Sequence, residues 1–271
     1  MNTTTRTARD RAMSTPEILE MILLQLDLRT LLIAAQRVCR SWVTLISQSV
    51  QIQRALFFSP VDKPDIPMHE KTQNPLLAET FPCVFPSSGK ELGKCKFAAL
   101  DMNQSSTKRA MYMRKEASWR RMLVQQPPIL DFGLLRVVHG QVGDQASAFK
   151  IHGSKDMLWE KHEGLRMERL FEVLLFNECI TWEEWSTNKV MWATEFPLDI
   201  QECDDIANTF DSMMRKFGLV IKARTVMQCS IGFRSKTEDE HLRGQLVAAY
   251  IEAGLDIDQS SISCVKMNSL V

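Results

Sequence analysis

Histidine and cysteine, the side chains that most often bind metals or act as nucleophiles, are scattered along this chain. The seven cysteines stand singly with no CxxC pair, whereas a zinc site needs ligands at short, paired spacings. Their odd number also argues against a complete disulfide framework and favours reduced thiols. No ligand spacing to cysteine or carboxylate is shared by the five histidines, His69, His139, His152, His162 and His241. We therefore predict no metal site and no cofactor.

Two adjacent carboxylates come nearest to a catalytic pair. Glu183 and Glu184 stand between Trp182 and Trp185, which would suit a sugar-handling site. Neighbouring residues on a helix diverge by about 100°, so the two carboxylates would not converge on one substrate. The spacing of Thr181 and Glu184 instead fits a capping box at a helix start. We predict no catalytic residue.

Composition and charge are those of an ordinary globular chain. Of the 271 residues, 45% are hydrophobic and 24% are charged, and the formal net charge is zero. This balance gives no overall attraction to nucleic acid or membrane. No run of about 18 apolar residues is present for a transmembrane helix, and no signal-peptide core stands near the start. We expect a cytoplasmic and/or nuclear protein in which residues 1–13 form a disordered tail.

Between residues 14 and 58 the apolar side chains recur at helical spacing. Pro16 suits the first position of a helix, because its missing N–H has no partner there. The pattern predicts three short helices that pack on one another. Met21 lies off the main apolar stripe, and a surplus of this kind on so small a module indicates a second surface that binds a partner.

The run STPEILEMILLQLDLRTLLIAAQRVCRSWVTLI, from residue 14 to about 47, resembles the F-box motif in order, spacing and residue type. Thr15 departs from the family, which usually has Leu before the Pro. The resemblance implies a three-helix module that binds a Skp-type adaptor and, through it, a cullin in a Skp–cullin–F-box ubiquitin ligase. We expect Pro16 and Leu19 to make direct contacts and Ile22, Leu32 and Leu45 to be core. The residues implied in adaptor binding are Pro16, Ile18, Leu19, Leu23, Leu31, Val38 and Trp42.

A proline-rich stretch follows the predicted F-box of residues 14–58. Residues 59–90 hold six of the chain's ten prolines, at positions 60, 64, 67, 75, 82 and 86. We interpret them as a linker or extended wrap, whose apolar middle docks on the next domain. The stretches LFFSP, NPLL and ASWRRMLVQQPP extend the resemblance, more weakly, to fungal F-box proteins of similar length.

Residues 91–271 indicate one mixed domain, so the predicted fold class is α+β and mainly helical. We expect helices over 107–124, around Met167 to Leu174, after Thr181, from Asp204 to Phe217, and after a capping box at Thr237 and Glu240. Alternation predicts strands in ILDFGLLRVVHG and LVIKARTV. No repeat of 20–50 residues indicates a horseshoe or propeller.

Charge is segregated along this domain. Residues 90–121 carry nine Lys/Arg against three Asp/Glu, and residues 178–211 carry nine acids against one Lys. These are either two solvated faces or surfaces for a partner of opposite charge. We place a protein substrate or regulator weakly at Trp182 and Trp185, and expect Trp192 to be core.

Two alternative functions stay open at this point. The chain could form an F-box–adaptor complex that works outside the ligase, or its second domain could be a small-molecule enzyme. Convergent polar groups around His139, His152 or residues 182–185 would favour the enzyme.

Overall fold

The computed structural model describes residues 7, 12–61, 71–85, 100–153, 164–193, 204–227, 237–255, 257 and 265–267. Most of the predicted tail, part of the proline-rich stretch, His69 and His162 lie outside the described residues. The protein has an α+β fold and divides into two compact units, Met1–Val61 and Asp62–Val271.

The first unit is helical. Its helices are α1 (Pro16–Leu23), a π-helical turn (Thr30–Ala34), a 3₁₀ turn (Ala35–Arg37), α2 (Arg40–Gln48) and α3 (Val50–Ala55). Side-chain hydrogen bonds to backbone N–H groups lie at the start of two of these segments. The Asp27 carboxylate accepts from the Thr30 N–H at 2.9 Å, and the Ser49 hydroxyl accepts from the Ile52 N–H at 3.1 Å. A single core of seven buried residues joins the helices: Leu19, Leu23, Leu31, Ala35, Ile46, Ile52 and Leu56.

The second unit is built around a five-stranded sheet in the order β5-β6-β3-β4-β7. Strands β3 (Asp131–Gly140) and β4 (Gly143–His152) form a hairpin, and β6 (Leu219–Val226) runs parallel to β3. Strand β5 (Ser186–Trp192) pairs antiparallel with β6, and β7 (Val265–Lys266) pairs antiparallel with β4. The sheet is therefore mixed, and β5 lies at one edge.

Helices that lie before, between and after these strands along the chain complete the unit. They are α4 (Pro75–Thr80), α5 (Ser106–Tyr112), α6 (Ser118–Arg121), α7 (Met167–Phe176), α8 (Asp204–Phe217) and α9 (Glu238–Glu252), with a 3₁₀ turn at Asp101–Asn103. Helix α8 packs on one face of the sheet through Ile206, Phe210 and Met213, which contact residues such as Leu135 and Val137. Nearly every side chain of α7 is buried.

Several predicted elements are confirmed. The predicted strands appear as β3 and β6, and α8 spans the predicted residues and ends at Gly218, whose φ is +73°. Helix α9 begins with the predicted capping box, in which Thr237 and Glu240 exchange side-chain to backbone hydrogen bonds.

Two predicted helices are wrong. The stretch 107–124 is broken into α5 and α6 by the turn at 113–117. Thr181 begins no helix, because its hydroxyl bonds the Thr225 hydroxyl at 2.8 Å and its carbonyl accepts from Asn188. These tertiary bonds hold residues 181–185 against the sheet.

The described part of the proline-rich stretch, residues 71–85, belongs to the interior of the second unit. Strand β1 (Thr72–Gln73) pairs with β2 (Gln125–Gln126) in a separate small sheet. Asn74 is fully buried, caps α4 and donates to the Leu123 carbonyl at 3.1 Å. Phe81 packs on Trp119 and Phe171, and Phe85 stacks on Trp192. Leu77 and Val84 are also buried.

Candidate functional site

The seven residues implied in adaptor binding divide between surface and core. Pro16 is exposed, and Ile18 and Val38 keep 43% and 59% of their surface exposed, while Trp42 is partly buried on the core. Leu19, Leu23 and Leu31 are buried. The expectation that Leu19 contacts the adaptor directly is therefore wrong. Leu19 and Leu23 lie one helical turn apart and face the core of the first unit.

An uncovered apolar face lies beside that core on α1. Ile18, Met21 and Ile22 are exposed, Met21 by 68%. At 100° per residue the three fall within about 100° of one another, next to the Leu19–Leu23 side. Ile22 thus corrects the expectation that it is core, whereas Leu32 and Leu45 pack against the core as expected. Ile33 and Val43 are exposed as well, and no sequence signal had distinguished them from core residues.

The two tryptophans assigned to partner binding have different environments. Trp182 is only 6% exposed, and its indole N–H donates to the Leu174 carbonyl at 3.1 Å. Trp185 is 48% exposed in the turn that leads into β5. Trp182 is thus core, a correction to the sequence prediction, and of the two only Trp185 can meet a partner. Trp192 is buried, as expected.

His139 lies in a chain of three polar side chains at one end of the sheet. Its Nδ1 is 2.7 Å from Asp144 Oδ1, and the Arg224 Nε–H donates to its Nε2 at 2.6 Å. A ring that accepts at Nε2 is neutral and carries its proton on Nδ1. His139 Nε2, the nitrogen that would act as a general base, therefore accepts from the Arg224 guanidinium. We interpret the three side chains as a structural hydrogen-bond chain that does not activate a nucleophile.

His152 and His241 also have local partners. His152 Nδ1 is 2.8 Å from Asp131 Oδ1, and Asp131 Oδ2 is 2.8 Å from Lys150 Nζ. His241 contacts Gln245 one turn along α9, at 2.8 Å. Within the described ranges, no group of three or more His, Cys, Asp or Glu could hold a metal ion.

A buried arginine network, which sequence reasoning missed, joins α6, α7 and α9. The Arg120 guanidinium donates to Glu168 at 2.9 Å and to the Tyr250 hydroxyl at 2.7 Å, and Tyr250 donates to Glu172 at 3.0 Å. Arg120 also lies over the rings of Trp119 and Tyr250, at 4.7 and 4.8 Å. Burial, followed by the charge of Glu172, raises the pKa of Tyr250. Members of this network lie up to 130 residues apart in the sequence, so no local sequence pattern could have revealed the network.

The guanidinium at the centre of this network lies in the interior of the second unit. Arg120 is 1% exposed, and its Nε–H is used by the Arg114 carbonyl at 3.0 Å. A buried guanidinium needs partners of this kind, because an uncompensated charge in the interior is costly. We interpret the cluster as structural.

Comparison with known proteins supplies no family for this chain. No family model matches it, and neither the curated proteins nor the solved structures contain a match. No helix among the described residues is long and apolar enough to cross a membrane.

Proposed function

We propose that the chain is an F-box subunit that binds a Skp-type adaptor and acts as a substrate receptor of a Skp–cullin–F-box ubiquitin ligase. The proposal starts from the motif-like run of residues 14 to about 47. In this proposal the first unit docks on the adaptor and the second unit holds the substrate. Ubiquitin transfer belongs to other subunits, so the chain itself needs no catalytic side chain.

The observation that carries the proposal is the exposed apolar surface of the first unit. Large apolar side chains rarely cluster on the surface of a small folded unit unless a partner covers them. Three of them stand on one face of α1, and the others are spread over the following helical segments. Within the motif-like run, the exposed set is Ile18, Met21, Ile22, Ile33, Val38 and Val43.

The distribution of implied residues also fits docking. Ile18 and Val38 are exposed, while Leu19, Leu23 and Leu31 form the core beneath. An interface of this kind gains most of its affinity from a few desolvated apolar anchors. The buried leucines would then act indirectly, because they hold the exposed residues in position.

The test is co-purification of the full chain with a fungal Skp-type adaptor. We expect Ile18→Glu with Val38→Glu to weaken adaptor binding by roughly thirtyfold or more, since burying a charge removes at least about 2 kcal/mol of interface energy. Val50→Glu is the matched control. Val50 is equally exposed but lies outside the motif-like run, and an acid at the first position of α3 suits the helix dipole.

Undiminished adaptor binding by the double variant, with an unchanged melting temperature, would remove the basis of the proposal. Probing the same samples for a cullin separates the two F-box functions. A cullin recovered with the adaptor supports the ligase, whereas an adaptor recovered alone supports a complex that works outside it.

A further inference from the structure

One end of the sheet brings three strand ends together at an exposed surface. The Val226 N–H donates to the Trp185 carbonyl at 3.0 Å, and the Met227 N–H donates to the His139 carbonyl at 2.8 Å. These bonds hold the end of β6 between the start of β5 and the end of β3. Trp185, Val226 and Met227 are all exposed. We call these three residues, with Lys189 and Arg224, the sheet-end surface.

Helix α8 leaves this end of its face uncovered. The helix packs on Leu135, Val137, Met191 and Val220. Arg224 is opposite Val137, and Val226 is opposite His139, one step further along the strands. Opposite residues project on the same face of a sheet, so Arg224 and Val226 share the face that α8 covers elsewhere. Both are exposed, because they lie beyond the helix.

The sheet-end surface carries two cations, Lys189 and Arg224. Lys189 is directly opposite Lys222. The Lys222 ammonium lies 5.5 Å from the centre of the Phe210 ring. Among the described residues, no carboxylate lies within ion-pair distance of Lys189 or Arg224. An acidic partner would supply a counter-charge to Lys189 and Arg224.

We propose that the sheet-end surface binds an acidic segment of a partner protein that carries an apolar anchor side chain. Trp185, Val226 and Met227 would bury the anchor, and Lys189 and Arg224 would pair with the acids. This deepens the proposed function, since it names the substrate chemistry for the second unit. Residues 194–203 of the acidic span 178–211 lie outside the described residues, and on its described part the fold brings Arg224 opposite Thr187 and Lys222 opposite Lys189.

A protein segment fits this surface better than a nucleic acid does. Glu183 and Glu184 directly precede Trp185 and would repel phosphates. A peptide can place an apolar side chain near them and its acids toward β6, whereas a polynucleotide carries a charge at every step.

The experiment measures fluorescence anisotropy of labelled peptides with the full chain and without adaptor, so its failure leaves the adaptor test untouched. The probes are a short peptide in which Glu alternates with Phe and Leu, its counterpart with Lys for Glu, and a single-stranded oligonucleotide. We expect the acidic peptide to bind about tenfold more tightly than the Lys counterpart, and to weaken as salt rises.

Two variants test the surface itself. The first is Trp185→Ala, and the second combines Lys189→Glu with Arg224→Glu. Each should weaken the binding of the acidic peptide by about fivefold or more. Arg215→Glu with Lys216→Glu is the matched control, since these exposed cations end α8 at the opposite end of β6; it should change binding by less than about twofold. If the charge reversal lowers the melting temperature, Lys189→Gln replaces it. Equal binding of the two peptides, preference for the oligonucleotide, or an equal loss in the control would overturn the proposal.

Discussion

Trp182 and Trp185 are three residues apart and have opposite roles. Trp182 is buried and donates to the Leu174 carbonyl, so Trp182→Ala leaves both a cavity and an unpaired carbonyl. We expect it to lower the free energy of unfolding by about 3–5 kcal/mol. Trp185→Ala should change it by less than about 0.5 kcal/mol, because its side chain is half exposed. Urea denaturation of both variants measures the difference, and equal losses would contradict these assignments.

Both tyrosines of the chain, Tyr112 and Tyr250, have environments that disfavour the phenolate. Burial, and then the charge of Asp101, raises the pKa of Tyr112 from 10.0 to about 12. Burial, and then the charge of Glu172, raises that of Tyr250 as well. Because the pKa of Tyr112 is higher in the folded state than in the unfolded state, its effect on the free energy of unfolding is constant below about pH 10. The folded protein then loses stability as the pH rises from 10 toward 12.

Tyrosinate absorbance should therefore stay low in the native protein near pH 10 and appear only as the chain unfolds at higher pH. The urea-unfolded protein is the control and should titrate at the ordinary value. Since the chain has two tyrosines, native titration of either one near pH 10 would show as half of the full absorbance change, and would contradict the raised pKa of that tyrosine.

At the scale of single elements, two glycines provide a matched pair of opposite sign. Gly218 ends α8 with φ +73°, a conformation that costs a residue with a side chain about 1 kcal/mol. Gly244 lies exposed inside α9, where an added Cβ would meet nothing within 4 Å. Gly218→Ala should lower the melting temperature, and Gly244→Ala should stabilise the protein by about 0.5–1 kcal/mol. Two changes of the same sign would show that one of the two helix positions is misassigned.

Local chemistry explains why helix ends were predictable at this scale. Thr237 and Glu240, or Gly218 after an amphipathic run, act within one turn of the chain and need no distant partner. Residues 107–124 have helical spacing too, but the turn at 113–117 interrupts the helix, and the Arg120 Nε–H donates to the Arg114 carbonyl within that turn. The Trp119 indole donates to the Tyr112 carbonyl at 3.1 Å, and this contact is made across the turn that separates α5 from α6.

At the scale of the whole molecule, the described residues 71–85 decide where the second unit begins. Leu77, Phe81, Val84 and Phe85 are buried there, and four such side chains contribute roughly 6–12 kcal/mol. That is comparable with the total stability of a domain, about 5–15 kcal/mol. We therefore move the boundary of the second domain from residue 91 to residue 62.

A fragment of residues 62–271 should unfold in one cooperative thermal transition, and a fragment of residues 91–271 should not. Adding Phe81→Ala to the longer fragment is the control, since this single change should lower its stability by about 3–5 kcal/mol without abolishing cooperativity. Cooperative unfolding of the shorter fragment would show that residues 71–85 are dispensable.

The sequence was sufficient to predict the α+β class, the strands β3 and β6 and the helices α7, α8 and α9, because periodicity and caps act over a few residues. It also supplied the motif-like run on which the F-box proposal rests. Tertiary packing alone decided which of two adjacent apolar faces is covered. On α1 the core covers Leu19 and leaves Ile18 and Ile22 exposed, and beside β5 it covers Trp182 and leaves Trp185 exposed. Periodicity shows that a face is apolar, but what covers that face comes from residues far away in the chain, as it does for the partners of Arg120.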